Sequence, residues 1–191
     1  PRVVTKPSSV VDSVALEELC QELRTVLRKN RQVVLVIGHG CAGATHEIIQ
    51  FAERIGAPIV TTPRGKSCIN PYHPLARGVF GFAGHKTARQ ALTDESVALI
   101  LAVGTNLGEF ATGGWDSVLL NDRLVYIHNA MAYFSRAPMA RLHVYGTIRT
   151  IFKELVSRFE TITRRKGNQS LTDMVREQST YVPRQIEVQA P

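Results

Sequence analysis

Val33-Val34-Leu35-Val36-Ile37-Gly38-His39-Gly40-Cys41-Ala42-Gly43, residues 33–43, sets the architecture of this chain. Five consecutive branched apolar residues, too few for a helix, suit a strand covered on both faces, as in a parallel sheet. The glycines that follow fit Gly-x-Gly-x-x-Gly, placed between a strand and a helix. The first permits a tight turn, the second lets backbone approach a pyrophosphate, and the third lets helix and strand pack closely. Amide groups at the start of the next helix would face the anion. That helix sets Ile48, Ile49, Ala52 and Ile55 inward and stops at Gly56.

Upstream, Asp12 or Ser13 caps a helix whose apolar stripe is Leu16, Leu19, Cys20, Leu23, Val26 and Leu27. Downstream, a second strand runs over Pro58–Thr62 and is closed by Pro63, and a long loop extends from Arg64 to Gly84. A short helix near His85–Leu92 leads to a third strand, Val97–Val103, and a glycine-rich loop, Gly104–Gly114. Leu124–His128 and Leu142–Tyr145 read as further strands, and Ile148, Ile151, Phe152, Leu155 and Phe159 mark a closing helix. Residues 1–11 read as a lead-in linker, 12–160 as one domain, and 161–191, where periodicity fades, as a C-terminal linker or tail. Strands separated by helix-length segments imply an α/β fold with a parallel sheet and helices on both faces. Ligands of such folds sit at the carboxyl ends of the strands, here the loops starting at Gly38, Thr62 and Gly104.

The 191 residues are 44% hydrophobic and 20% charged, which excludes a disordered or fibrous chain. No apolar run reaches the ~18 residues of a membrane span, and the N-terminus has no apolar segment of the secretory kind. Cys20, Cys41 and Cys68 are read as reduced thiols of a cytoplasmic protein. The net charge is +7. Its excess is split between Arg24, Arg28, Lys29 and Arg31 and a second group at Arg164, Arg165 and Lys166. Neither group is interleaved with aromatics, so a solvated surface accounts for the charge better than a nucleic-acid interface.

The glycine fingerprint also wants an acid at the end of the second strand to hold a ribose. This chain has Thr61, Thr62, Pro63 and Arg64 there, so an NAD site is incomplete. Arg64 meeting an NADP phosphate, glycines serving only a tight turn, and a different phosphate-bearing ligand all remain open. The six histidines show no metal spacing. His39 and His85 fall in loops at the expected ligand edge. Cys41 sits where a helix N-terminus would lower a thiol pKa, but nothing pairs it with a base. Glu109 and Asp116 flank the third loop, where Trp115 is placed over a ligand, over a neighbouring subunit or in the core. No catalytic set emerges, and no metal ligands. The chain reads as a binding or scaffold domain.

With the loops placed, the stretch from Val34 through Trp115 resembles the central domain of thiamine diphosphate-dependent enzymes of the acetolactate synthase type. The residues that carry it are Ile37-Gly38-His39-Gly40, then Ala57-Pro58-Ile59-Val60-Thr61-Thr62-Pro63-Arg64-Gly65-Lys66. His73-Pro74-Leu75-Ala76-Arg77-Gly78-Val79-Phe80-Gly81, Gly84 and Leu101-Ala102-Val103-Gly104-Thr105 complete it. The resemblance implies a Rossmann-like sheet of six strands, lying between a pyrimidine-binding and a diphosphate-binding domain in a homo-oligomer. It implies a parent that uses thiamine diphosphate and Mg²⁺, both held outside this segment, to decarboxylate a 2-keto acid and transfer the remaining acyl carbanion equivalent. It further implies FAD or ADP in this domain, or nothing, with nucleotide contacts on Gly38, Gly40, Thr62, Gly65, Gly84 and Gly104. His39, Arg64, Thr105 and Asn106 adjoin them as candidate binding residues. Two departures bear on the flavin. Thr105-Asn106-Leu107-Gly108-Glu109 replaces an Arg-Phe-Asp-Asp-like segment, and His128-Asn129-Ala130 replaces acids. The Gly-Asp-Gly segment that would bind Mg²⁺ and diphosphate is missing, as is a pyrimidine domain. The isolated chain is therefore expected to be a middle segment without turnover; a free-standing NADP-dependent oxidoreductase or nucleotide-binding module is the alternative.

Overall fold

The computed structural model describes residues 10–159. The expected tail over 161–191 and all but the last two residues of the lead-in lie outside them. Helix α1 (Ser13–Arg28) starts at Asp12, whose side chain accepts the Val14 and Ala15 amides at 3.1 and 3.0 Å. Strand β1 (Gln32–Ile37) leads to a 3-10 turn (His39–Cys41) and helix α2 (Thr45–Ile55), which ends at Gly56 in the left-handed conformation, φ 64°. Then follow β2 (Ile59–Thr61), β3 (Ala76–Val79), α3 (Lys86–Thr93) and β4 (Val97–Val103). The short helix α4 (Glu109–Thr112), β5 (Leu124–His128), a 3-10 segment (Met131–Arg136), β6 (Leu142–Tyr145) and α5 (Ile148–Arg158) complete the order.

The six strands form one sheet in the order β3-β2-β1-β4-β5-β6, and every neighbouring pair is parallel. The expected α/β Rossmann-like sheet is thus present. Its sixth strand, β3, falls inside the stretch read from sequence as loop Arg64–Gly84. Only the resemblance implied it.

The apolar run of β1 divides by parity. Val33, Leu35 and Ile37 join one core with α1, α2 and α5, while Val34 and Val36 join the other with α3. Phe51, Phe152 and Phe159 meet edge to face in the first core, at 5.7 and 5.8 Å between centroids. The second face is covered more thinly, by α3 and by loop residues such as Leu107, Leu119 and Ala137. Val11 forms an antiparallel bridge with Gly146 beyond β6, so the entering chain is fixed beside the carboxyl edge of the sheet. Among the described residues no helix is long and apolar enough to cross a membrane.

Candidate functional site

The strand order reverses between β1 and β4. There the carboxyl-end loops diverge and leave a crevice. A cavity of about 450 Å³ occupies it, lined by residues that follow β1, β2, β4 and β5. That volume lies within the range of small-molecule sites. With neighbouring strands ~4.8 Å apart, the cavity reaches about 14 Å from β2 to β5.

Close backbone approach builds its floor. A side chain at Gly38 would fall on the Gly104 carbonyl oxygen and the Thr105 backbone, and one at Gly40 would come within 2.9 Å of the same oxygen. Gly65 lies against Ile37 and Gly38 in the same way. Gly43 is different, since a Cβ there meets nothing within 4 Å. The packing role expected of the third fingerprint glycine is not what this position serves. The turn's donors are also spent internally: Gly40 N–H donates to Gly104 O at 2.9 Å, Cys41 N–H to Gly38 O at 3.1 Å and Ala42 N–H to His39 O at 3.1 Å. Helix α2 begins only at Thr45, so these three amides belong to the preceding 3-10 turn and its cap and are already spent.

Of the candidate residues, His39, Gly40, Thr62, Arg64, Gly104, Thr105 and Asn106 line the cavity together. Gly38 and Gly65 buttress it from beneath. Gly84 stands apart, packed against Val79 and Gly81 near the end of β3. His85 is likewise structural: its Nδ1 accepts the Val79 amide at 2.9 Å. At the β1/β2 end, exposed His39 and Arg64 supply the basic groups. Thr62 Oγ1 accepts the Gly65 amide at 3.2 Å, which closes the second loop. At the β4/β5 end, Tyr126 Oη donates to Thr105 O at 2.6 Å, and Arg136 donates to Asn106 O at 3.2 Å while lying over the Tyr133 ring.

His128, Tyr133, Glu109 and Phe110 complete the wall. In the sequence His128 stands out only as a lost acid, and nothing singles out Tyr133. Histidine at the carboxyl end of a strand beside the switch point was the available signal. His128 Nδ1 accepts the Ala130 amide at 3.0 Å, and its ring lies 4.6 Å from that of Tyr133. Burial holds its pKa below the ordinary imidazole value.

Cys41 reverses its expectation. Its buried thiol donates to Val103 O at 3.2 Å, and burial, with the nearby Cys68, pushes its pKa from the usual 9.0 up to about 12. It is a packing residue with no thiolate character at neutral pH. Trp115 is not a core anchor; it is 60% exposed, in the turn after α4. Asp116 is held below the ordinary carboxyl value by the Val118 amide and by Arg89, with which it forms an ion pair. Among the described residues no three His, Cys, Asp or Glu side chains gather to hold a metal ion.

Residues 20–155 match the family model of the thiamine pyrophosphate enzyme central domain. The chain belongs to this family. The central domain is one part of a multidomain enzyme, so the family implies flanking domains and a thiamine diphosphate-dependent parent. Similar proteins include the acetolactate synthase large subunit of Cyanidium caldarium, 28% identical over 139 residues, which is 72% of this chain and 23% of that protein. A 3D-(3,5/4)-trihydroxycyclohexane-1,2-dione hydrolase of Clostridium perfringens is 26% identical over 149 residues, 77% of this chain and 23% of its own length. Among solved structures, a Mycobacterium smegmatis protein described as a thiamin diphosphate-dependent enzyme superposes with a TM-score of 0.64. The match covers 89% of this chain and 32% of that one at 22% identity, which supports the fold. The chain spans about a quarter of the length of the curated relatives it matches. These matches do not favour the NADP-dependent oxidoreductase alternative.

Proposed function

We infer that this chain works as the middle domain, over residues 12–160, of a longer acetolactate synthase-like enzyme acting on 2-keto acids, and that its cavity holds a nucleotide. The family match over residues 20–155 carries the first part. When bound in the parent, thiamine diphosphate with Mg²⁺ supplies the acyl carbanion chemistry, and both belong to the pyrimidine-binding and diphosphate-binding domains on either side. Residues 1–11 and 161–191 serve as the linkers to them. The parent is a cytoplasmic homo-oligomer. Three free cysteines agree with a reducing compartment.

The cavity's two unlike ends support the nucleotide. His39 and Arg64 offer basic groups to a phosphate, while Tyr133 and His128 line the far end, where a heterocycle would lie some 10–14 Å away, about the reach between strands β2 and β5. A nucleoside diphosphate such as ADP fits that span. FAD is the second reading, because Phe110, 67% exposed at the rim, gives a second ring system a face to lie on.

Calorimetric titration of the chain with ADP and with FAD tests this. Saturable one-to-one binding is expected, weakened about tenfold by Arg64→Ala as one charge-assisted contact is lost. Absence of saturable binding to both ligands would overturn the nucleotide assignment.

A further inference from the structure

The basic end of the cavity has ordinary phosphate-binding groups, but the opposite end holds one polar group with a fixed role. His128 is 7% exposed, on the last residue of β5. With the Ala130 amide donated to Nδ1, the neutral ring carries its proton on Nε2. Protonation would force a second N–H against that amide, so the hydrogen bond itself favours the neutral ring. Nε2 has no protein partner among the described residues and is not one of their buried unpartnered atoms, and His128 lines the cavity, so its N–H is available to a ligand there.

The groups around it leave this role intact. Tyr126 on the same strand and Tyr133 on the following 3-10 segment place their rings beside it, and Tyr145 is its partner in register on β6. The cation of Arg136 lies over the Tyr133 ring, 5.5 Å from its centroid, and His143 Nε2 is engaged with Ala137 O at 3.0 Å. Glu109 and His39 face the same cavity from other loops.

We propose that His128 is the specificity-determining donor of the cavity, an uncharged N–H fixed in one tautomer that selects a ligand presenting an uncharged acceptor, a nucleobase ring nitrogen or carbonyl oxygen, beside the Tyr133 ring. This rests on the nucleotide reading of the same cavity and adds what its far end recognises. A fixed donor rejects a ligand that lacks the acceptor, because the ligand would cover the N–H and leave it unpaired. An anion at this position would instead draw a second proton onto the ring and couple binding to proton uptake.

The test compares ADP with inorganic pyrophosphate, which has the anion and no base, on wild type, His128→Phe and His128→Gln. ADP affinity falls about tenfold in the Phe variant and returns in the Gln variant, whose amide N–H replaces Nε2–H, while pyrophosphate affinity is the same in all three. In the free protein, ¹⁵N shifts of the ring report Nδ1 unprotonated. Equal loss of pyrophosphate and ADP in the Phe variant, no rescue by Gln, or a protonated Nδ1 overturns the proposal. If wild type binds neither ligand, the nucleotide reading falls and takes this inference with it. If ADP binds wild type and the Phe variant equally, this inference alone falls.

Discussion

At Gly38 and Gly40 a single methyl group separates a formed site from a broken one. Each would drive its Cβ into the Gly104 carbonyl, with backbone on both sides of the contact and no flexible side chain to yield. Gly38→Ala or Gly40→Ala is therefore expected to cost about 2–3 kcal/mol, the scale of overpacking in a rigid core. Gly43→Ala, in open space, stays within about 0.5 kcal/mol. Urea unfolding of the three variants checks this; equal losses at all three would contradict the asymmetry. Cys41 gives a second prediction. Its folded pKa is raised from 9.0 to about 12, so above the unfolded value the unfolded chain releases a proton that the folded chain keeps. Its contribution is complete below about 9 and is lost as the pH rises toward about 12. Wild type should lose stability faster than Cys41→Ala across that window. Parallel alkaline profiles would refute it.

Elements were legible where one segment's own pattern was enough. The β1 run is apolar at every position because both its faces are covered, and α1 shows its stripe and its Asp12 cap in sequence. Asp12→Ala should cost about 1 kcal/mol through loss of the two amide partners, seen as a lower denaturation midpoint with an unchanged slope. An unaltered midpoint would show the cap to be replaced. Strand β3 was hidden for the opposite reason. Ala76-Arg77-Gly78-Val79 has neither alternation nor an apolar run, and its pairing is supplied by β2 through Ile59–Ala76 and Thr61–Val79. The cavity divides the same way. Gly40, Thr62, Arg64 and Gly104 followed from strand ends and glycine spacing. His128 and Tyr133 depend on β5 lying beside β4, with Ile127 level with Val103, a contact no local pattern encodes.

On the scale of the whole molecule, the described residues form one sheet, two cores and a ligand-sized cavity. Among these residues no three His, Cys, Asp or Glu side chains gather to hold a metal ion. On the proposed reading the domain positions and binds, and the parent's chemistry needs its neighbours. The 191-residue chain supplied with thiamine diphosphate, Mg²⁺ and pyruvate should release no CO₂ above the uncatalysed background. Measured decarboxylation would place catalytic groups in this domain. The most direct test of its place in a larger enzyme is the mass and sequence of the native polypeptide. The account predicts a product about four times this length, with a Gly-Asp-Gly segment for Mg²⁺ and diphosphate on the C-terminal side; a native product ending at these 191 residues would contradict it.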